Sequence, residues 1–246
     1  MSIKAGRERD AMFSASVADY FDGVAGLWSR NYSPQGAMLA RVTRFSEALF
    51  AQGTDSGRLL DFGCGTGAIA SAHAGLGFKV TGCDIARHML DVARREHADS
   101  GVEWVQLPSG DTRLPFEDGS FDAVIASSVL EYVPEPAHVL REFHRILSPG
   151  GVVLCSLPDE RHPVRKKEQE WLASAEQPVW RAILGCLPRS TPLRRRYDYL
   201  KLSVTRWPIE KWCSVFQEAG FEVADPSSCD DPLLILAGRK SGPSHA

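Results

Sequence analysis

The chain has 246 residues, 43% of them hydrophobic and 24% charged, with a net charge of -3. This is ordinary globular composition, enough for one large core with an insertion, and it excludes a disordered chain and a globally basic nucleic-acid binder. No run approaches the roughly 20 apolar residues of a membrane-spanning helix, and residues 1–13 lack the apolar centre of a secretion signal. The six cysteines lie 16 or more residues apart, which suits neither a metal site nor a disulfide framework. A reduced, cytoplasmic protein without metal is the expectation.

In chain order, Phe13, Val17, Tyr20, Phe21, Val24, Leu27 and Trp28 fall at helical spacing. Residues 58–63 then read as a strand, 66–77 as a helix closed by glycine, 79–85 as a second strand and 87–101 as a helix. Strands follow at 102–107 and 121–128. Residues 135–147 form an amphipathic helix with Val139, Leu140, Phe143, Ile146 and Leu147 on one face. Pro149-Gly150-Gly151 breaks that helix before a fifth strand at 151–157. Such alternation implies a parallel sheet covered by helices on both faces. Residues 159–207 interrupt it with four prolines and no clean strand. Over 161–211 there are 12 Lys/Arg against 5 Asp/Glu, a local net of +7 that leaves -10 for the rest. A helix at 208–220 and strands at 221–228 and 232–240 close the chain. Their connection is too short for a helix, so the last pair is antiparallel.

The chemistry concentrates in Asp61-Phe62-Gly63-Cys64-Gly65-Thr66-Gly67-Ala68, at a strand-to-helix junction. Ligands of open α/β sheets bind beyond the carboxyl ends of the strands, where glycine lets backbone approach them. A phosphate loop would need Gly-Lys-Ser/Thr, which is missing, while the dinucleotide fingerprint is met only in its Gly/Ala form. Asp61 at the strand tip would repel a pyrophosphate and suits a nucleoside bearing a cationic centre. Asp84 ends the next strand 19 residues after Gly65, where a carboxylate accepts hydrogen bonds from ribose hydroxyls of either kind of nucleoside. Ile85 and Met89 are placed to flank a purine, and Asp111 after Gly110 repeats the acid at a strand tip.

Taken together, LLDFGCGTG, GCDI, GDTRLPFEDGSFDAV, ASSVLEYV and LSPGGVVL resemble, in order and interval, the class I S-adenosylmethionine-dependent methyltransferases. The closest resemblance is to the small-molecule branch that includes ubiquinone and menaquinone biosynthesis enzymes. Residues 18–25 with Trp28 are similar to that branch's N-terminal lid helix, whereas Ala86 departs from the helix-capping Ser of many relatives. The resemblance implies a Rossmann-like, mostly parallel seven-stranded α/β sheet with an antiparallel final strand and a helical cap insertion. It implies three parts: a lid at 1–55, a core at 56–158 plus 208–240, and a basic cap at 159–207. It places Asp61, Gly63, Cys64 and Gly65 about the methionine portion of the donor, Asp84 on ribose, and Ile85 and Met89 beside adenine. Asp111 and Thr112 would reach the adenine edge, Ser127 and Ser128 the sulfonium, and Tyr20 and Trp28 would close the pocket. Glu131 and Tyr132 fall on the acceptor side.

The acceptor is expected to be a small molecule and not a nucleic acid, since no RNA-binding module flanks the core. If it is a hydroxyl or amine, a base is needed, and the cap offers His162, Tyr197 and Tyr199. The cap's Arg165, Lys166, Lys167, Arg194, Arg195 and Arg196 are candidates for drawing in an anionic acceptor or touching an acidic lipid surface. Methyl transfer to oxygen or carbon is the leading reading. A nucleotide-dependent oxidoreductase and a non-catalytic nucleoside-binding protein remain open at this level, as does the oligomeric state.

Overall fold

The computed structural model describes residues 2–31, 37–110, 113–224 and 233–242, with side chains placed for all of these except 2–8, 29–31 and 37. One seven-stranded sheet comprises β1 (Arg58–Phe62), β2 (Lys79–Asp84), β3 (Glu103–Gln106), β4 (Phe121–Ser127), β5 (Leu147–Pro158), β6 (Phe221–Val223) and β7 (Leu233–Lys240). Their order is β3-β2-β1-β4-β5-β7-β6. Only β7 runs against its neighbours, pairing antiparallel with both β5 and β6. The Rossmann-like, mostly parallel sheet expected from the sequence is the observed one.

The central strands are apolar on both faces because both are covered. Leu59, Ile125 and Leu154 pack with Phe45 and Leu49 of α2 (Ala37–Ala51) and Ile69 of α3 (Ala68–Gly75). Leu60, Val124 and Val153 point the other way, onto Phe143 of α5 (Pro136–Ile146) and Trp212 and Phe216 of α9 (Ile209–Glu218). This is the period-two alternation of a strand, read three times in register. The expected start of the fifth strand at 151 shifts to Leu147. Phe121 pairs with Leu147 and Ala123 with Val152, so residues 148–151 form a bulge where the sequence suggested a break.

The N-terminal segment divides. Helix α2 belongs to the sheet's own helical layer, its Phe45 and Leu49 fully buried. Helix α1 (Ser2–Asn31) instead lies over α4 (Arg87–Glu96), where Ala25 packs with Ala86, Met89 and Val92. Asp22 of α1 accepts the His88 amide at 2.7 Å, which supplies the first turn of α4 with the cap that Ala86 cannot give. The interruption at 159–207 is three helices: α6 (Pro163–Ala175), α7 (Pro178–Cys186) and α8 (Pro192–Leu202). Each begins with proline in its first turn, where the missing N–H has no helical partner to lose. Three of the four prolines that read as breakers are therefore helix starts.

Candidate active site

The crevice between β1 and β4 is the switch point of the sheet, since β1 leads to β2 toward one edge and β4 to β5 toward the other. The loop after β1 holds three left-handed glycines, Gly63, Gly65 and Gly67, at φ 68, 54 and 85. At Gly63 the reason is also steric: a Cβ would sit 2.4 Å from Val129 in the loop after β4. A Cβ at Gly65 would meet nothing within 4 Å, because the loop there borders open cavity.

Two carboxylates frame this loop. The Asp84 carboxylate accepts the Gly65 amide at Oδ2 and the Ala86 amide at Oδ1, each at 2.8 Å, so it is fixed from both sides. Burial raises its pKa to about 6 although those amides oppose the shift. Asp61 is 1% exposed, and neither of its oxygens has a hydrogen-bond partner among the described residues. Burial, with Asp84 adding repulsion, raises it to about 7, and the nearby Ala70 amide, too poorly aligned to count as a hydrogen bond, opposes the shift only weakly. Cys64 lines the same wall, and burial together with these acids holds its thiol well above the usual range. An unsatisfied buried carboxylate costs stability, and a cationic ligand would remove that cost.

A cavity of about 640 Å³ extends from this loop. Asp61, Gly63, Cys64, Gly65, Asp84, Ile85, Met89, Ser127, Ser128 and Trp28 all line it. Among the described residues Ser127 Oγ is buried without a partner, and Ser128 is the one non-glycine residue with positive φ (55), held by its amide on Ser156 Oγ at 2.9 Å. Asp111 and Thr112 lie outside the described residues, although their neighbours Gly110 and Arg113 line the cavity. Tyr20 does not line it. Its ring lies 6.2 Å from that of Tyr199, and its hydroxyl donates to the Arg195 carbonyl at 3.3 Å, tying α1 to the cap.

At the far end the walls are Glu131 and Tyr132, in the single 3-10 turn Leu130–Tyr132, with Val164, Arg165 and Glu168 of α6 and Tyr199 of α8. The Tyr132 hydroxyl donates to that of Tyr199 at 2.7 Å, and Arg165 pairs with Glu168 at 2.9 Å. Glu131 is buried, accepts from Ser203 Oγ at 2.5 Å, and is raised by burial.

Of the three candidate bases only Tyr199 reaches the cavity. His162 is the N-cap of α6, its Nδ1 accepting the Val164 amide at 3.3 Å, so its ring is committed to starting the helix. Tyr197 turns into the cap's own core with Ala175 and Leu184, and its hydroxyl donates to Glu176 at 2.8 Å. Arg194 is likewise structural, bridging Asp198 and the Leu184 carbonyl. The sequence reading passed over Arg41, Arg44 and Glu168, which also line the cavity. Arg41 and Arg44 carried a usable signal, being three apart on one helix face; Glu168 carried none.

Among the described residues the loop end thus presents acids without a loop lysine, a donor set that fits a nucleoside with ammonium and sulfonium charges and does not fit a pyrophosphate. Fold and site together define an α/β enzyme of the nucleoside-binding type. A family model described as a methyltransferase domain matches residues 60–155. A demethylmenaquinone methyltransferase of Streptomyces griseus is 31% identical over 209 residues, 83% of this chain and 86% of the relative. A ubiquinone biosynthesis O-methyltransferase of Pseudomonas aeruginosa is 33% identical over 170 residues, 68% of this chain and 66% of the relative. Among solved structures, the magnesium protoporphyrin IX methyltransferase of Synechocystis with bound S-adenosylmethionine shares the fold at TM-score 0.63 and 18% identity, covering 93% of this chain and 97% of that one. The chain belongs to the class I S-adenosylmethionine-dependent methyltransferases, in the branch that includes the quinone-biosynthesis enzymes. S-adenosylmethionine is its cofactor, and nothing in these relationships supports the oxidoreductase alternative.

Proposed function

We propose that the enzyme methylates an oxygen or carbon atom of a small amphiphilic acceptor held between the donor and the cap. One observation carries this reading: a single cavity runs from Asp61 and Asp84 at the glycine loop to Arg165 and Tyr199 of the cap. The donor supplies a methyl group already made electrophilic by sulfonium charge, so the protein's task is mainly to position and desolvate. In this reading Asp61, Gly63, Cys64 and Gly65 hold the methionine portion, and the oriented Asp84 holds the ribose. Ile85 and Met89 flank the adenine, with Asp111 and Thr112 at its edge, and Ser127 and Ser128 lie beside the sulfonium. Trp28 covers the donor, and Tyr20 acts indirectly through its ring contact with Tyr199.

The core at 56–158 plus 208–240 binds the donor, while the cap at 159–207 and α1 enclose the acceptor. Tyr199 is the group on the acceptor side best placed to orient or deprotonate a hydroxyl. The relatives named for demethylmenaquinone and ubiquinone biosynthesis support an acceptor of quinone-like chemistry, and the apolar walls Val133, Val139 and Val164 suit its hydrocarbon part. Contact of the basic cap with an acidic lipid surface belongs to the same reading. Incubation with methyl-labelled donor, a solvent extract of cells and a set of substituted hydroquinones tests it. Label in an organic-soluble product is expected; label in protein or RNA would sink the small-molecule assignment.

A further inference from the structure

In the stretch from β3 to β4, Leu107, Pro108, Gly110, Arg113 and Leu114 line the cavity. Leu107 and Leu114 share one apolar cluster with Ile85, the residue placed beside the adenine. At Gly110 the backbone lies directly on α1, since a Cβ there would come within 2.6 Å of the Ala11 methyl. From Leu114 onward the stretch is held by one side chain of α5. Arg145 Nη2 donates to the Leu114 carbonyl at 3.0 Å, and Nη1 to the Phe116 carbonyl at 2.8 Å. Nη1 also donates to Asp118 Oδ1 at 2.8 Å, while Nε and Nη2 donate to the two oxygens of Glu142 at 3.0 and 2.7 Å. These bonds occupy all the N–H groups that a guanidinium has. Glu142 in turn accepts the Leu114 amide at 2.9 Å and itself lines the cavity.

The arms of this clasp are unequal. The Asp118 carboxylate is 75% exposed, so its ion pair is screened and contributes little. The side chains of Arg145 and Glu142 are 18% and 14% exposed, and the two carbonyls they hold belong to the cavity loop. A lysine would keep the charge, but it has no planar fork to reach two carbonyls and a carboxylate together. Arg145 is not part of the cavity wall, whereas Val139 and Glu142, at successive three-residue steps on the same helix, are. The face of α5 therefore runs from the cavity to the loop. Hydrogen bonds weaken steeply when their angle is lost, so the reading of a ligand's edge depends on how firmly this loop is held. We infer that Arg145 and Glu142 are positioning residues that set selectivity for the donor's base, by fixing residues 113–119 beside it. The inference rests on the adenine placement proposed above.

Calorimetry of the full chain with two ligands tests this: S-adenosylhomocysteine, and S-inosylhomocysteine, in which oxygen replaces the 6-amino group of the base. The wild type should prefer the adenine compound by about tenfold or more, as expected where a site hydrogen-bonds the group that differs. Arg145→Lys should weaken S-adenosylhomocysteine about tenfold and S-inosylhomocysteine less than about twofold, so that the preference collapses. Glu142→Gln is isosteric and keeps an acceptor for the Leu114 amide. It should lose about threefold, again on the adenine compound alone. The double variant should bind no more weakly than Arg145→Lys, because both side chains act through one loop. Equal weakening of the two ligands, or a lowered melting temperature with the preference intact, would reduce the pair to a structural brace and overturn the inference. Should Arg145→Lys fail to fold, Glu142→Gln decides by the same comparison. A wild type without any preference would overturn the adenine placement itself, and the inference with it.

Discussion

At the glycine-loop end of the cavity the polar atoms are fixed by backbone: Asp84 sits on the Gly65 and Ala86 amides, and Gly63 lies against Val129 because two adjacent strands end there. At the cap end the groups are joined side chain to side chain across helices, through Tyr132 to Tyr199, Ser203 to Glu131 and Arg165 to Glu168. The first end is dictated by the sheet and serves a ligand common to the family. The second can be altered one residue at a time without disturbing the sheet, which is how segments on a rigid scaffold come to set specificity. Changes at the loop should therefore act on donor binding or on the fold, and changes at the cap on the acceptor alone.

The largest effect is expected from Asp84→Ala, which removes the proposed ribose acceptor and also releases two backbone amides. Charge-assisted hydrogen bonds are worth about 1.5–3 kcal/mol each, so affinity for S-adenosylhomocysteine should fall about a hundredfold by calorimetry while acceptor KM stays unchanged. Next comes Gly63→Ala, whose Cβ would meet Val129 and must adopt φ 68. A loss of roughly 2–3 kcal/mol is expected, visible in thermal melts and partly restored by Val129→Ala. If the melting temperature did not move, the crevice would be looser than its contacts indicate.

Asp61 gives a pH signature. Its folded pKa, raised to about 7 by burial, lies above the unfolded carboxyl value. Its contribution to stability is therefore complete below about pH 4 and is lost as pH rises through about 7. The ligand-free enzyme should melt higher at pH 5 than at pH 8 on this account, and Asp61→Asn should flatten the difference. Because a cationic donor favours the ionised form, its affinity should tighten roughly tenfold between pH 6 and 8; a flat profile in the wild type would break the assignment. Where the turn after β4 meets the cap, Tyr132→Phe removes one hydrogen bond worth about 1 kcal/mol and should raise acceptor KM about fivefold with donor affinity intact. The smallest change is His162→Ala. It should cost about 0.5–1 kcal/mol of stability as a lost helix cap and leave kcat within about twofold, whereas a general base would cost 10²–10⁴-fold.

The same contrast decided what could be read from the sequence. The loop was legible because its constraints are local: an acid and three glycines in seven residues fix a conformation and a charge, and the next acid falls one strand later. The parallel sheet covered on both faces followed from alternation, and the antiparallel close from a connection too short for a helix. The cap was less legible because its helices are positioned by long-range contacts. His162 has the chemistry of a base, but where its ring points depends on where α6 begins. Tyr197 and Tyr199 seemed equivalent, yet residues two apart on a helix are separated by about 200°, so only one could face the cavity. That much was available from the spacing, though which of the two it would be was not. Arg194 has the charge to draw in an anionic acceptor, but its bonds to Asp198 and the Leu184 carbonyl hold it within the cap.

The rings that join α1 to Tyr132 and Tyr199 bear on the traffic of ligands. Phe21 of α1 stands 5.4 Å from Tyr132, Tyr20 stands 6.2 Å from Tyr199, and the two acceptor-side tyrosines are 6.0 Å apart. One aromatic seam is thus shared by α1, the turn after β4 and α8 of the cap. On the proposed reading, a molecule leaving past it would part both elements at once, so the residence times of spent donor and product would be joined by this seam.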